Sequence, residues 1–201
     1  MTSARLAACV FAASALTSAS SASIIRFTDF ALWSSFSAFS GTPVITETFN
    51  GIANGTYASP YSSSVGGINW TAVAAGGLSV QNGQFSTVLP ETITFSMSPG
   101  VQGVGGNFFG TDASFNAVPA IIQVTLNDGS AFIGFASTPS EFVGFYSLGA
   151  QITTISVSST AATGEVSVYP TADNLYFAAV PAPGAVSLLA VAGLIGTRLR
   201  R

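Results

Sequence analysis

Between residues 24 and 179 the chain is a succession of short apolar runs, four to nine residues each, punctuated by Gly, Pro, Asn and Ser. Runs of that length, rich in β-branched and aromatic residues, are the signature of strands. They fall at 44–49, 68–73, 92–97, 101–109, 120–126, 131–136, 142–147, 152–158, 166–169 and 174–179. Within 92–97 Ile93, Phe95 and Met97 alternate with threonine and serine, which gives a strand with one buried face. Asp128-Gly129 joins two of the runs as a tight hairpin. Helical spacing is confined to 30–39, where Leu32, Trp33, Phe36 and Phe39 would form a short amphipathic helix. The pattern predicts an all-β chain, a two-sheet β-sandwich of jelly-roll-like type. A transmembrane barrel is the rival, but it needs strands of about 9–11 residues. Phe108 and Phe109 are adjacent and face opposite ways on a strand, so one is exposed if only one sheet face is buried. The segment 50–67, rich in Gly, Ser, Asn and Tyr, reads as a long loop where ligand contacts would sit.

Both ends read as addresses. Arg5 precedes an apolar stretch at 6–16 and a run of small residues at 17–23, the order of a secretory signal peptide over 1–23. The stretch is shorter than the ~20 residues that span a bilayer. Cys9, the sole cysteine, lies in it, so the mature chain would carry no thiol. At the other end Val180-Pro181-Ala182-Pro183-Gly184 leads into a short apolar stretch, 185–197, predicted as a helix, and the chain closes on Arg198-Leu199-Arg200-Arg201. A rigid break, a short apolar helix and a basic cluster held on the cytoplasmic side suit a temporary membrane stop, with a plain C-terminal anchor as the alternative.

That tail resembles the PEP-CTERM sorting signal of Gram-negative bacteria, which exosortase, a membrane transpeptidase, recognises and cleaves. Val180, Pro181, Pro183, Gly184, Arg198, Arg200 and Arg201 match its three parts, whereas Ala182 stands where the usual motif has Glu. The resemblance implies three regions: a signal peptide at 1–23, an ectodomain at 24–179 and a sorting signal at 180–201. It implies export, transient inner-membrane insertion, and delivery to the cell surface or extracellular matrix. The middle also resembles the all-β ectodomains that carry such tails, through Thr46-Glu47-Thr48-Phe49, Phe142-Val143-Gly144-Phe145 and Ala172-Asp173-Asn174-Leu175-Tyr176-Phe177. These are similar to galactose- and carbohydrate-binding jelly rolls. By that resemblance Glu47, Asp173 and Asn174 would surround a structural calcium.

The rest of the chemistry is narrow. Charged residues are 6% of the chain, against about 25% in ordinary soluble domains. No histidine is present, which excludes Ser-His-Asp and Cys-His catalysis and His-ligated zinc. Residues 24–179 hold eight acids against the single base Arg26, a net charge of −7, so nucleic acid is not an expected partner. Acids without basic partners must stay in water, be neutralised or meet a cation, and calcium is the suitable one outside the cell. Glu47, Glu91 and Glu141 are the acids a glycosidase would draw on, but no compact acid-x-acid cluster occurs, and no enzymatic activity is expected. Tyr57, Tyr61 and Trp70 are candidate stacking platforms for a sugar, Trp70 being alternatively a core residue between Ile68 and Val73. The expected function is a structural or adhesive surface or matrix component. The alternative is a calcium-stabilised carbohydrate-binding module that recognises extracellular polysaccharide.

Overall fold

The strand runs pair into two antiparallel sheets with one short helix, in a computed structural model that describes residues 23–164 and 167–180. The expected signal peptide (but for Ser23) and sorting tail (but for Val180) lie outside the described residues. In chain order the elements are β1 (Ile24–Phe27), α1 (Phe30–Phe39), β2 (Val44–Glu47), β3 (Gly55–Tyr57), β4 (Tyr61–Val65), β5 (Ile68–Val73), β6 (Leu78–Gln81) and β7 (Gln84–Thr87). There follow β8 (Ile93–Met97), β9 (Val101–Thr111), β10 (Ala117–Val118), β11 (Ala120–Leu126), β12 (Ala131–Ala136), β13 (Phe142–Ser147), β14 (Thr154–Ala161) and β15 (Tyr169–Ala179).

The larger sheet runs β1-β13-β9-β15-β7-β6-β3, with β10 beside β9 and β2 beside β15. The smaller runs β12-β11-β14-β8-β5-β4. Both paths are open, so neither sheet closes into a barrel. The long β15 pairs β9 along one side and is shared on the other by β7, at Thr171 and Ala172, and β2, from Leu175 to Ala178. The register shifts between Ala172 and Leu175, so Asp173 and Asn174 form a bulge where one neighbour hands over to the other.

Alternation in the strands points their apolar residues inward. In β5 Ile68, Trp70 and Ala72 are buried, and in β8 Ile93, Phe95 and Met97 are. The centre of the core is aromatic: Phe49 lies 5.1 Å from Phe85 and 5.7 Å from Trp70, ring centre to ring centre. The Phe49–Trp70 pair packs edge to face, an arrangement that adds about 0.5–1.5 kcal/mol to the area buried. Phe108 and Phe109 are both buried, so the expectation that one is exposed does not hold.

Residues 24–40 belong to the fold. β1 pairs with β13, from Ile24 against Ser147 to Phe27 against Gly144. Asp29 caps α1, its Oδ1 accepting from Leu32 N at 2.8 Å. Trp33 anchors the helix on the outer face of the larger sheet and donates from Nε1 to Phe145 O at 3.1 Å. Glycines make the space: a Cβ on Gly103 would sit 3.2 Å from Trp33 Cζ2, and one on Gly144 2.8 Å from Trp33 Cδ1. The apolar stripe expected on this helix is only half used, because Phe39 is 92% exposed and Leu32 is exposed too. A ten-residue helix on a flat sheet buries one narrow line, here Trp33 and Ser37.

The segment 50–67 is no simple loop; it contains β3 and β4. The described chain also begins and ends at one pole. Leu148 N donates to Ser23 O, and Val180 N donates to Gly100 O, whose own N–H donates to Gln151 Oε1.

Candidate functional site

Glu47 ends β2 with its side chain turned into the core. Its Oε1 accepts from Phe49 N at 2.9 Å and its Oε2 from Trp70 Nε1 at 3.0 Å. Phe49 itself takes a positive φ of 57°. Because β2 belongs to the larger sheet and Trp70 to the smaller, Glu47 ties the two sheets together. Trp70 is 1% exposed, a core residue and not a stacking platform. Tyr57 and Tyr61 are half-buried and lie 5.0 Å apart, ring to ring, with the Tyr57 hydroxyl donating to Ala53 O. Burial first, then the neighbouring Tyr57 and Glu47, pushes the Tyr61 phenol above its ordinary range. The three aromatics expected to form an exposed face instead close one end of the core.

Asp173 and Asn174 sit elsewhere. Leu175, opposite Glu47 in the register, is fully buried, while the bulge turns Asp173 and Asn174 to the outer face of the larger sheet. Asn174 Nδ2 donates to Asp173 Oδ2 and to Asn107 Oδ1, both at 3.2 Å, and the Tyr176 hydroxyl donates to Asn107 Oδ1 at 2.9 Å. The calcium set of Glu47, Asp173 and Asn174 is therefore not assembled: the Glu47 oxygens serve the core, and the bulge points the other two residues away. Among the described residues no three acids converge on a metal-sized position.

What the bulge does build is an open cleft of about 670 Å³. Its floor is Asn107, Asn174 and Tyr176; Asp29, Glu141 and Asp173 bring carboxylates to the rim. Phe30 and Phe142 form its apolar side, with Phe30 4.6 Å from the Tyr176 ring and 5.5 Å from Phe142. Burial raises the Asp173 carboxyl above the usual carboxylate range, and burial together with the Asp173 charge raises Tyr176. Three other described acids are used locally. Asp112 accepts from Ser114 N, Asn116 N and Asn116 Nδ2, and the Asn116 contacts hold its carboxyl below the ordinary range. Asp128 accepts from Ser130 in the expected hairpin turn, and Glu91 accepts from Gly76 N. Glu47, Glu91 and Glu141 thus stand in three separate places.

A second surface was not foreseen from the strand runs taken singly. Antiparallel pairing lines up the outward residues of the smaller sheet into rows of hydroxyls. Ser62 and Thr71 meet at 2.8 Å and Thr94 and Ser156 at 2.9 Å. Thr71 lies opposite Ser96, and Ser156 lies between Thr94 and Thr125. At the β12 side the face turns apolar with Ile121, Ile133 and Phe135 exposed. Every outward strand residue of this face is uncharged. Period-two alternation of Ser and Thr in 94–96 and 154–158 was the available signal.

Comparison with protein-family models gives no match, and comparison with curated proteins and with solved structures gives none either. Among the described residues no helix is long and apolar enough to cross a membrane.

Proposed function

We propose that the chain is an exported surface or extracellular-matrix protein with a structural or adhesive role, and that its sandwich is jelly-roll-like. The observation that carries this reading is the uncharged, hydroxyl-bearing outer face of the smaller sheet. A rigid face that presents hydroxyls without charge suits adhesion to neutral, hydroxyl-rich polymer, and it needs no reaction centre. The jelly-roll reading draws on the way successive strands switch sheets, as in β12, β13, β14 and β15.

The tail that resembles a PEP-CTERM signal supplies the delivery route, with an exosortase-type transpeptidase as the processing partner. Support comes from the pole where Val180 leaves: Leu148 and Val180 are exposed there, beside Pro43 at the end of the helix segment. A domain held by that pole directs its opposite end away from the membrane. Deleting Arg198 to Arg201 tests the route. The proposal expects the truncated chain to stay in the membrane or be released unsorted, and unchanged surface display would defeat it.

A second reading, a carbohydrate-binding module, is favoured by the Asp173 cleft, where carboxylate and amide acceptors lie beside aromatic rings. One retention assay on extracellular polysaccharide separates the two. Adhesion through the hydroxyl face is lost in Ser62→Lys combined with Gln123→Lys and kept in Asp173→Ala. Binding in the cleft gives the reverse.

A further inference from the structure

We infer that the protein associates with a second copy of itself, edge to edge through β12, as a closed two-fold dimer. Six strands have an edge with no partner among the described residues, β1, β2, β3 and β10 in the larger sheet and β12 and β4 in the smaller; β2 has four residues after Pro43, and β10 has two before Pro119. A free edge offers unpaired backbone donors and acceptors, and proteins guard such edges with charge, proline or brevity. β1 carries Arg26, whose guanidinium stacks 5.5 Å over the Phe132 ring. β3 has three residues, and β4 follows Pro60 and turns Ser62 and Ser64 outward. β12 has no such guard. Its six residues, Ala131 to Ala136, include no charge and no proline, and Ile133 and Phe135 are 65% and 58% exposed. A cavity of about 170 Å³ beneath it, lined by Phe108, Phe132 and Val143, shows that β12 is not packed tightly on its own core.

Charge selects the occupant. Arg26 is the only base among the described residues, so two copies repel wherever their acids approach. β12 and its neighbour β11 hold no charged residue, and the charges nearest the edge, Arg26 over Phe132 and Glu141 in the cavity below, are opposite in sign, so a second copy does not bring acid against acid alone along this edge. The edge is also self-complementary. Antiparallel pairing about a two-fold axis at Gly134 keeps inner and outer faces in step, because paired residues are then an even number apart. Ile133 comes opposite Phe135 of the second copy, twice, on the outer face, and Phe132 comes opposite Ala136 on the inner. The hydroxyl face then continues through both copies. The guarded state of the other edges stops growth at two, since an isologous contact uses up the edge that makes it.

Cysteine cross-linking of the full chain in its host, with an added thiol oxidant, tests the register. Ile133→Cys combined with Phe135→Cys should give a dimer-sized product on a non-reducing gel, while the parent chain and Ser62→Cys on the opposite edge should not. Ile133→Lys, at an exposed position, should keep the parent's melting temperature and convert dimer to monomer by light scattering. A double-cysteine variant that stays at monomer mass overturns the proposal. So does a cross-linked product of another size, equal cross-linking by Ser62→Cys, or a parent that scatters as a monomer. Each readout is the same whether or not the tail is processed, so failure here is distinct from failure of the sorting route.

Discussion

Two carboxylates define the chemistry at the scale of residues, and they do opposite things. Glu47 is a hydrogen-bond hub inside the molecule. Glu47→Ala leaves the buried Trp70 Nε1–H and the Phe49 N–H without their acceptor, which costs about 1–3 kcal/mol for a buried unsatisfied donor. Glu47→Gln, which keeps one acceptor oxygen, should lose less. Denaturant titration followed by tryptophan fluorescence measures both, and the loss should be equal with calcium and with chelator. Asp173 is the opposite case, a charge that burial disfavours. Its folded pKa is raised, so the folded state binds the proton more tightly than the unfolded chain and loses stability as pH climbs from 3.8 through the folded value. Asp173→Asn should therefore melt higher than the parent at pH 7, and the gap should close as the pH is lowered into the ordinary carboxylate range. Sequence reasoning grouped Glu47 with Asp173 and Asn174, whereas the structure places Glu47 against the core and the other two on the outer face. The Thr-Glu-Thr-Phe and Asp-Asn segments do lie on adjacent strands, but a bulge between Ala172 and Leu175 reverses which face Asp173 meets. No single-sequence pattern announces a bulge that exists because two different neighbours share one long strand.

Elements with strong alternation were legible to the residue. The runs 68–73, 120–126, 131–136 and 142–147 match β5, β11, β12 and β13, and 30–39 matches α1. Among the strands that escaped, β4 is Tyr-Ser-Ser-Ser-Val, and β6 and β7 flank Asn82-Gly83, a hairpin signal with Asn82 at φ 52°. β4 has little apolar face, and β6 and β7 carry only Leu78, Val80 and Phe85 inward on four-residue strands, too few per run for hydrophobic spacing to register. The helix was legible as a helix, yet its docking was not, because the site is prepared by glycines distant in sequence. Trp33→Ala should cost about 3–5 kcal/mol, as large aromatic deletions do. Gly144→Ala should cost about 1–3 kcal/mol by overpacking, since its new methyl would lie 2.8 Å from the Trp33 ring and 2.7 Å from Phe142. Denaturant midpoints read by near-ultraviolet circular dichroism test both, and Gly144→Ala with the parent's midpoint would contradict the glycine-cradle account.

For the whole molecule, two-sheet architecture followed from the number and length of the apolar runs. The order of strands in each sheet did not, because it depends on long-range pairings such as β1 with β13 and β2 with β15. The uncharged sheet face and the shared pole of the described ends emerge only once those pairings exist. Together with the tail they support a molecule held at one end and adhesive along one face. Intact mass spectrometry of the protein recovered from the cell surface is the most direct test. The account predicts a chain that begins at residue 23 or 24 and has lost Arg198 to Arg201 with the apolar stretch before them. A surface chain that retains Arg201, or a protein found only inside the cell, would contradict it.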